Sequence, residues 1–410
     1  MSTTTRPATG LRDTAVPARW RPRDRALLLV LAGNMLIDAL EVSVVLVALP
    51  AVRSALGLSV GGAQATVSGF ALGFAALLLL GPRITTRFGR RRVYLASLPV
   101  FVLASVVGGL AADGPVLIAS RVVTGACAAL TAPTGLAIVS TAFPEGEERR
   151  RAVSVYSMFG AAGFTVGLLA AGAIGGPGWR WDLVLPALVA VPLFLVGLRI
   201  LPADDASVRQ GARPGTALLR HRPLLRSALG AATLNGGYLG LLLLLTLRLA
   251  ADGWGTWRTA LAFLPACLPL ALSLPFAGRL VARFGAPRLV AAGAVAAACG
   301  QALCLRPGAL DDYATGVLPA LLLIGAAFVL SFAALNFQAM AAIPVELRGA
   351  AAPLYQAGVQ LGAALVLPTV AGLLATSGGD AAARVLLTSV AVAGAVTALT
   401  GLRPSRREST

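Results

Sequence analysis

Apolar runs of bilayer-crossing length follow one another through most of the chain, and that repetition leaves few folds open. Taking about 20 residues as one crossing, the spans fall near 26–52, 61–82, 93–111, 115–140, 152–175, 182–201, 226–250, 258–278, 288–306, 314–343, 350–376 and 382–402, twelve in all. Inside lipid a spanning segment must satisfy its own backbone polar groups, so each run is expected to be a helix. Charged residues make up 12% of the chain, about half the share of roughly 25% found in soluble domains.

The first run breaks the apolar rule. Leu31 to Pro50 reads LAGNMLIDALEVSVVLVALP and carries Asp38 and Glu41 near its middle. A charged side chain at that depth costs about 3 kcal/mol on insertion scales. Asn34, Asp38 and Glu41 are spaced i, i+4, i+7, so a helix lines them along one stripe. That stripe is expected to face a polar cavity inside the bundle. These are the only acids the spans above hold well inside them, and the one histidine, His221, falls in a connection. Proton carriage, if it occurs, therefore falls to Glu41 and Asp38. Arg121 is the one arginine placed well within a span, about six residues or roughly 9 Å from the outer end of its helix at 1.5 Å per residue. Glu41 lies at a similar depth, so Arg121 is expected to pair with it directly or through water. A buried pair of this kind also has a purely structural reading.

The formal charge is +17, and every basic residue except His221 is an arginine. The arginines cluster in the N-terminal tail and in the second-to-third, fourth-to-fifth and sixth-to-seventh connections, while the alternate connections carry one or two each. By the positive-inside rule, both termini and the long middle connection are cytoplasmic and the protein is multi-pass in the cell membrane. The charge therefore orients the chain toward lipid headgroups and gives no reason to expect a nucleic-acid partner. The expected organisation is a disordered cytoplasmic tail over 1–25, a six-helix half over 26–201, a cytoplasmic linker over 202–225, a second six-helix half over 226–402 and a short tail over 403–410. Cys127, Cys267, Cys299 and Cys304 sit in apolar spans with no CxxC pairing, so no metal site is expected. No phosphate-binding Walker loop is present; the expected drive is the proton gradient, with no cofactor and no enzymatic activity.

An internal repeat divides the chain. Pro82-Arg-Ile-Thr-Thr-Arg-Phe-Gly-Arg-Arg-Arg92 follows the second span, and Gly278-Arg-Leu-Val-Ala-Arg-Phe-Gly-Ala-Pro-Arg288 follows the eighth. The shared Arg87-Phe88-Gly89 and Arg283-Phe284-Gly285 occupy matching connections of the two halves. Two related halves suit a transporter in which one half rocks against the other about a central site.

On these residues the chain resembles the major facilitator superfamily, and within it the proton-coupled drug exporters of the EmrB/QacA type. Glu41-Val-Ser-Val-Val-Leu-Val-Ala-Leu-Pro50 is similar to the first-span motif, and Arg121-Val-Val-Thr-Gly125 to the intramembrane arginine motif. The loop signature G-x-x-x-D-R-x-G-x-R-R survives as Arg87, Gly89, Arg91 and Arg92 in the first copy and as Gly278, Arg283 and Gly285 in the second; Thr86 and Ala282 stand at its acidic position. Gly163-Phe-Thr-Val-Gly167 has Phe164 where exporters usually show proline. Gly178-Trp-Arg-Trp-Asp182 and Glu346-Leu-Arg-Gly349 also match recurring elements.

The resemblance implies an all-α integral membrane fold of twelve helices in two pseudo-symmetric halves, a monomer that exports small, largely apolar, drug-like or antibiotic-like compounds by proton antiport and alternating access. The loop residues would form a cytoplasmic gate. Further candidates for the substrate cavity are Asn34, Asn235, Tyr238, Asn336, Tyr355, Gln356 and Gln360, polar groups inside spans for which interhelical hydrogen bonding is the competing reading. A facilitator or proton symporter for a metabolite on the same fold is the alternative, and a non-transporting membrane sensor a third.

Overall fold

The computed structural model describes residues 20–144, 146–175, 178–203, 221–341 and 343–402. Residues 1–19 and 403–410 of the two expected tails and 204–220 of the expected linker lie outside these residues; helices already begin at Pro22 and Arg222, inside the expected tail and linker. Among the described residues there is no strand. The helices are α1 (Pro22–Ala55), α2 (Val60–Leu78), α3 (Gly81–Phe88), α4 (Arg90–Gly109), α5 (Gly114–Ala142), α6 (Glu147–Ile174), α7 (Trp179–Ile200), α8 (Arg222–Ala251), α9 (Thr256–Phe284), α10 (Ala286–Leu303), α11 (Leu318–Ala341), α12 (Val345–Leu374) and α13 (Gly379–Thr400). Eleven are long and apolar enough to cross a membrane, counting with α11 the turn of π-helix that leads into it; α9, bent after Ser273, makes a twelfth when its two parts form one span. The second span ends earlier than the sequence suggests, at Leu78, and the chain turns into the short amphipathic α3.

Local signals explain several boundaries. Ser59 caps α2 by accepting from the Gly62 amide at 3.1 Å, and Asp113 caps α5 by accepting from the Val116 amide at 2.9 Å, each satisfying an amide with no partner within its helix. The repeated Arg-Phe-Gly has a backbone cause. Gly89 ends α3 and starts α4 at φ +91°, and Gly285 ends α9 and starts α10 at φ +80°. Only glycine takes that conformation without strain.

The two sets of helices pack alike. In the first set α1 packs on α6 and α7, α5 on α2 and α4, and α4 on α7. In the second set α8 packs on α12 and α13, α11 on α9 and α10, and α10 on α13. Substituting α8, α9, α10, α11, α12 and α13 for α1, α2, α4, α5, α6 and α7 maps one list onto the other. Across the halves α2 meets α12 and α6 meets α9, which are equivalent contacts under the same exchange, and α1 meets α8 on the axis between them.

One end of the molecule carries the arginine-rich junctions α3–α4 and α9–α10. At the opposite end a single hydrophobic cluster joins both halves, from Leu40–Val52 of α1 to Leu239–Leu249 of α8 and Ala260–Cys267 of α9. At the arginine-rich end the core separates into one cluster per half, around Leu31, Tyr94 and Val139 in the first and around Leu224, Leu289 and Leu335 in the second. A seam at α2 and α12, where Ala357 meets Phe70, Phe74 and Leu78, bridges them on one side. The halves thus close together at one end and part toward the other. Large apolar side chains such as Leu103, Leu188, Leu322 and Leu365 stay exposed on the outside, a surface that lipid rather than water would solvate.

Small residues set how closely α6 approaches the acid-bearing α1. A Cβ at Gly163 would meet the Leu36 backbone and the Ala39 side chain, and one at Gly167 would meet Leu40 and Ser43. Gly163→Val is therefore expected to destabilise the protein by about 1–3 kcal/mol through overpacking. Gly372→Val, on α12 with nothing within 4 Å, serves as the control. Thermal unfolding in detergent reads both, and equal midpoints would contradict this packing.

Candidate functional site

α1 carries its polar stripe into the interior of the first half. Asn34, Asp38 and Glu41 are 3%, 7% and 1% exposed. None of the three is turned toward lipid, and the two acids have different surroundings.

Glu41 is ion-paired with Arg121 of α5, Nη1 to Oε2. Arg121 also donates from Nη2 to the Glu41 carbonyl at 2.8 Å and from Nε to the Thr66 carbonyl of α2 at 3.4 Å. Its guanidinium lies 5.2 Å from the centre of the Phe70 ring. Ser105 of α4 donates to Glu41 Oε1 at 3.4 Å. Four helices therefore converge on one charge pair, and all three guanidinium nitrogens have a carboxylate or carbonyl acceptor. That degree of satisfaction lets a guanidinium stay buried.

Asp38 sits one turn along α1 and has neutral partners. Asn34 Nδ2 donates to Oδ2 at 3.3 Å, and the Thr131 hydroxyl of α5 donates to the same oxygen at 3.5 Å. Tyr94, Tyr156 and Cys127 are its electrostatic neighbours. The Tyr156 hydroxyl is committed to the Ala132 carbonyl at 2.7 Å, whereas the buried Tyr94 hydroxyl has no hydrogen-bond partner. Among the described residues no arginine is ion-paired with Asp38.

The remaining candidates scatter. Tyr238 of α8 lies between Phe164 of α6 at 5.6 Å and Phe328 of α11 at 4.6 Å, centroid to centroid, and Phe332 stacks next at 6.2 Å. This aromatic chain crosses from one half to the other. Asn235 is tied to the Val359 carbonyl of α12 at 3.1 Å, an interhelical bond within the second half. Tyr355 is 3% exposed and belongs to the second half's core cluster with Leu224 and Leu335. Gln356 and Gln360 are half-buried and Asn336 is exposed. In the loops, Arg87 lies over Phe88 and Arg283 over Phe284, each at 5.4 Å. Arg91 Nη2 donates to the Leu198 carbonyl at 2.8 Å, closing α4 on α7. Arg92 is exposed, and Gly278 has open space around it. The side chains of Glu346 and Arg348 lie outside the described residues.

Two features escaped the sequence reading. Asp182, in the first turn of α7, is 1% exposed with Oδ1 unpartnered; it falls on the first residue of an expected span and so counted as a boundary. Phe164 registers in the sequence as a missing proline, while its role across the halves depends on α8.

Substituting one member of the ion pair strands the other. Arg121→Met is expected to cost about 3–5 kcal/mol, and the double variant with Glu41→Leu to recover most of that loss. A double-mutant cycle of thermal stabilities checks it; additive losses would show that the two side chains do not act on each other.

A family model described as Major Facilitator Superfamily matches residues 31–367. The chain is 33% identical to the puromycin resistance protein pur8 of Streptomyces alboniger across 85% of this chain and 80% of that protein. It is 37% identical to the cephamycin export protein CmcT of Amycolatopsis lactamdurans across 43% of this chain and 36% of that protein. The crystal structure of a D-xylose-proton symporter superposes with a TM-score of 0.76 at 16% identity, over 94% of this chain and 99% of that one.

Proposed function

The chain belongs to the Major Facilitator Superfamily, and from that premise we propose that it is a secondary transporter exporting small organic compounds of the antibiotic class, by antiport against protons. Similarity to a puromycin resistance protein over most of both chains and partial similarity to a cephamycin export protein support the cargo class. The arginine distribution supports placement in the cell membrane with both termini in the cytoplasm, which makes the arginine-rich end the inner one. The cargo route then runs between two halves of one chain, so a monomer suffices.

The observation that carries proton coupling is the division of labour on α1. Glu41 has a cation and Asp38 has none. A bare carboxylate at this depth is costly, so of the two acids Asp38 has the more to gain from carrying a proton. Glu41 and Arg121 neutralise each other and lock α1 against α5. In the proposed cycle the site opens outward, a proton reaches Asp38, and the charge buried on α1 changes while Glu41 and Arg121 stay paired. Closure outward and opening inward then expose Asp38 to a less acidic cytoplasm, where the proton leaves. Antiport requires that cargo and proton favour opposite arrangements. The apolar aromatic chain Phe164–Tyr238–Phe328 offers planar cargo stacking surfaces between the two halves.

Asp38→Asn is expected to abolish cargo uptake driven by an acidic interior in inverted vesicles while leaving downhill cargo exchange measurable. Glu41→Gln is expected to reduce both, because it also removes the α1–α5 lock. Undiminished gradient-driven uptake in the Asp38→Asn, Glu41→Gln double variant would overturn the coupling. Accumulation only in right-side-out vesicles with an acidic exterior would instead identify a symporter.

A further inference from the structure

At the arginine-rich end of the second half, a cleft of about 710 Å³ opens between the start of α8, the α9–α10 junction and the end of α13. Arg226, Arg283 and Arg288 line it, and among the described residues no carboxylate does. Among the described residues none of these three is ion-paired. Three like charges around one concavity repel each other, and an anion placed among them would relieve that repulsion. The start of α10 adds to the same potential. Its cap, Gly285, offers no side chain, and in its first turn Pro287 has no N–H, so the Ala286 and Arg288 amides are the ones left without an intrahelical acceptor, and the positive end of the helix faces the cleft.

The equivalent junction in the first half shows why this one stays open. Two residues after Gly89, Arg91 reaches the Leu198 carbonyl and ties α4 to the end of α7. Two residues after Gly285 stands Pro287, which has no side-chain donor with which to close α10 onto the end of α13. Ala282, in place of an acid, leaves Arg283 without a neighbouring carboxylate.

We propose that this cleft binds a phosphate group, held by the guanidinium groups of Arg226, Arg283 and Arg288 and by the first-turn amides of α10. Guanidinium forks match phosphate oxygens in pairs, and the three side chains come from three different helices, so the bound anion links α8, α9 and α10 at the inner end. The phosphate belongs either to an anionic lipid headgroup in the adjacent leaflet or to a soluble phosphate compound.

The test uses the full chain in phosphatidylcholine nanodiscs, with pyrophosphate added or with phosphatidylglycerol titrated into the discs, and thermal stability as the readout. Arg226→Gln, Arg283→Gln and Arg288→Gln are combined in one variant; all three side chains are exposed, so the substitutions open no core cavity, and the variant's midpoint without any probe checks its folding. A second variant removes the same charge elsewhere, at Arg23, Arg25 and Arg199. The wild type and this second variant are expected to be stabilised, and the cleft variant to bind at least roughly tenfold more weakly. Stabilisation by phosphatidylglycerol alone assigns a lipid headgroup, and stabilisation by pyrophosphate in phosphatidylcholine discs assigns a soluble phosphate. No stabilisation by either, or an equal loss in the two variants, overturns the site.

Discussion

Glu41 and Arg121 are opposite charges buried between α1 and α5, and much of the first half is arranged to keep them there. The Thr66 carbonyl, the Ser105 hydroxyl and the Phe70 ring each take up part of the burden. Glycines let α6 press against α1 from the other side. A charge pair in this setting does more than stabilise. It fixes α1 against α5 through a satisfied pair and leaves Asp38, one turn along, as the buried acid with neutral partners.

The halves are alike in packing and unlike in chemistry. Among the described residues, the buried charged side chains Asp38, Glu41, Arg121 and Asp182 all belong to the first half. The second half buries hydroxyls and amides instead, such as Ser227, Thr246, Gln301 and Ser331. Pseudo-symmetric folding thus carries a chemical asymmetry, with buried charge in the first half and, in the second, the aromatic surface of Tyr238 and Phe328. The Phe164–Tyr238 contact is where the two meet. The same asymmetry holds at the surface, where Arg91 closes its junction while Pro287 leaves the matching one open.

How much of this could be read from the sequence depended on contrast. Glu41, Asp38 and Arg121 stood out because a charge inside an apolar run has few explanations, and their similar depths suggested a pair. The repeated Arg-Phe-Gly was legible as a repeat, although its cause, a left-handed glycine at each junction, needed the backbone. Ser105 and Thr131 gave no signal, since hydroxyls are common in membrane helices and only position makes them partners. Tyr355 and Asn235 looked like cavity residues because a polar group in a span invites that reading, yet core packing and a bond to a neighbouring helix account for them. The convergence of Arg226, Arg283 and Arg288 was invisible because they are scattered over more than sixty positions of the chain.

The account depends most on Asp38 being the acid that carries the proton while Glu41 stays paired. Infrared difference spectroscopy across a pH step, on protein reconstituted in lipid, separates the two through the stretching band of a protonated carboxyl group. The account predicts a titrating band that disappears in Asp38→Asn and persists in Glu41→Gln. A band that survives Asp38→Asn unchanged and disappears in Glu41→Gln would contradict it.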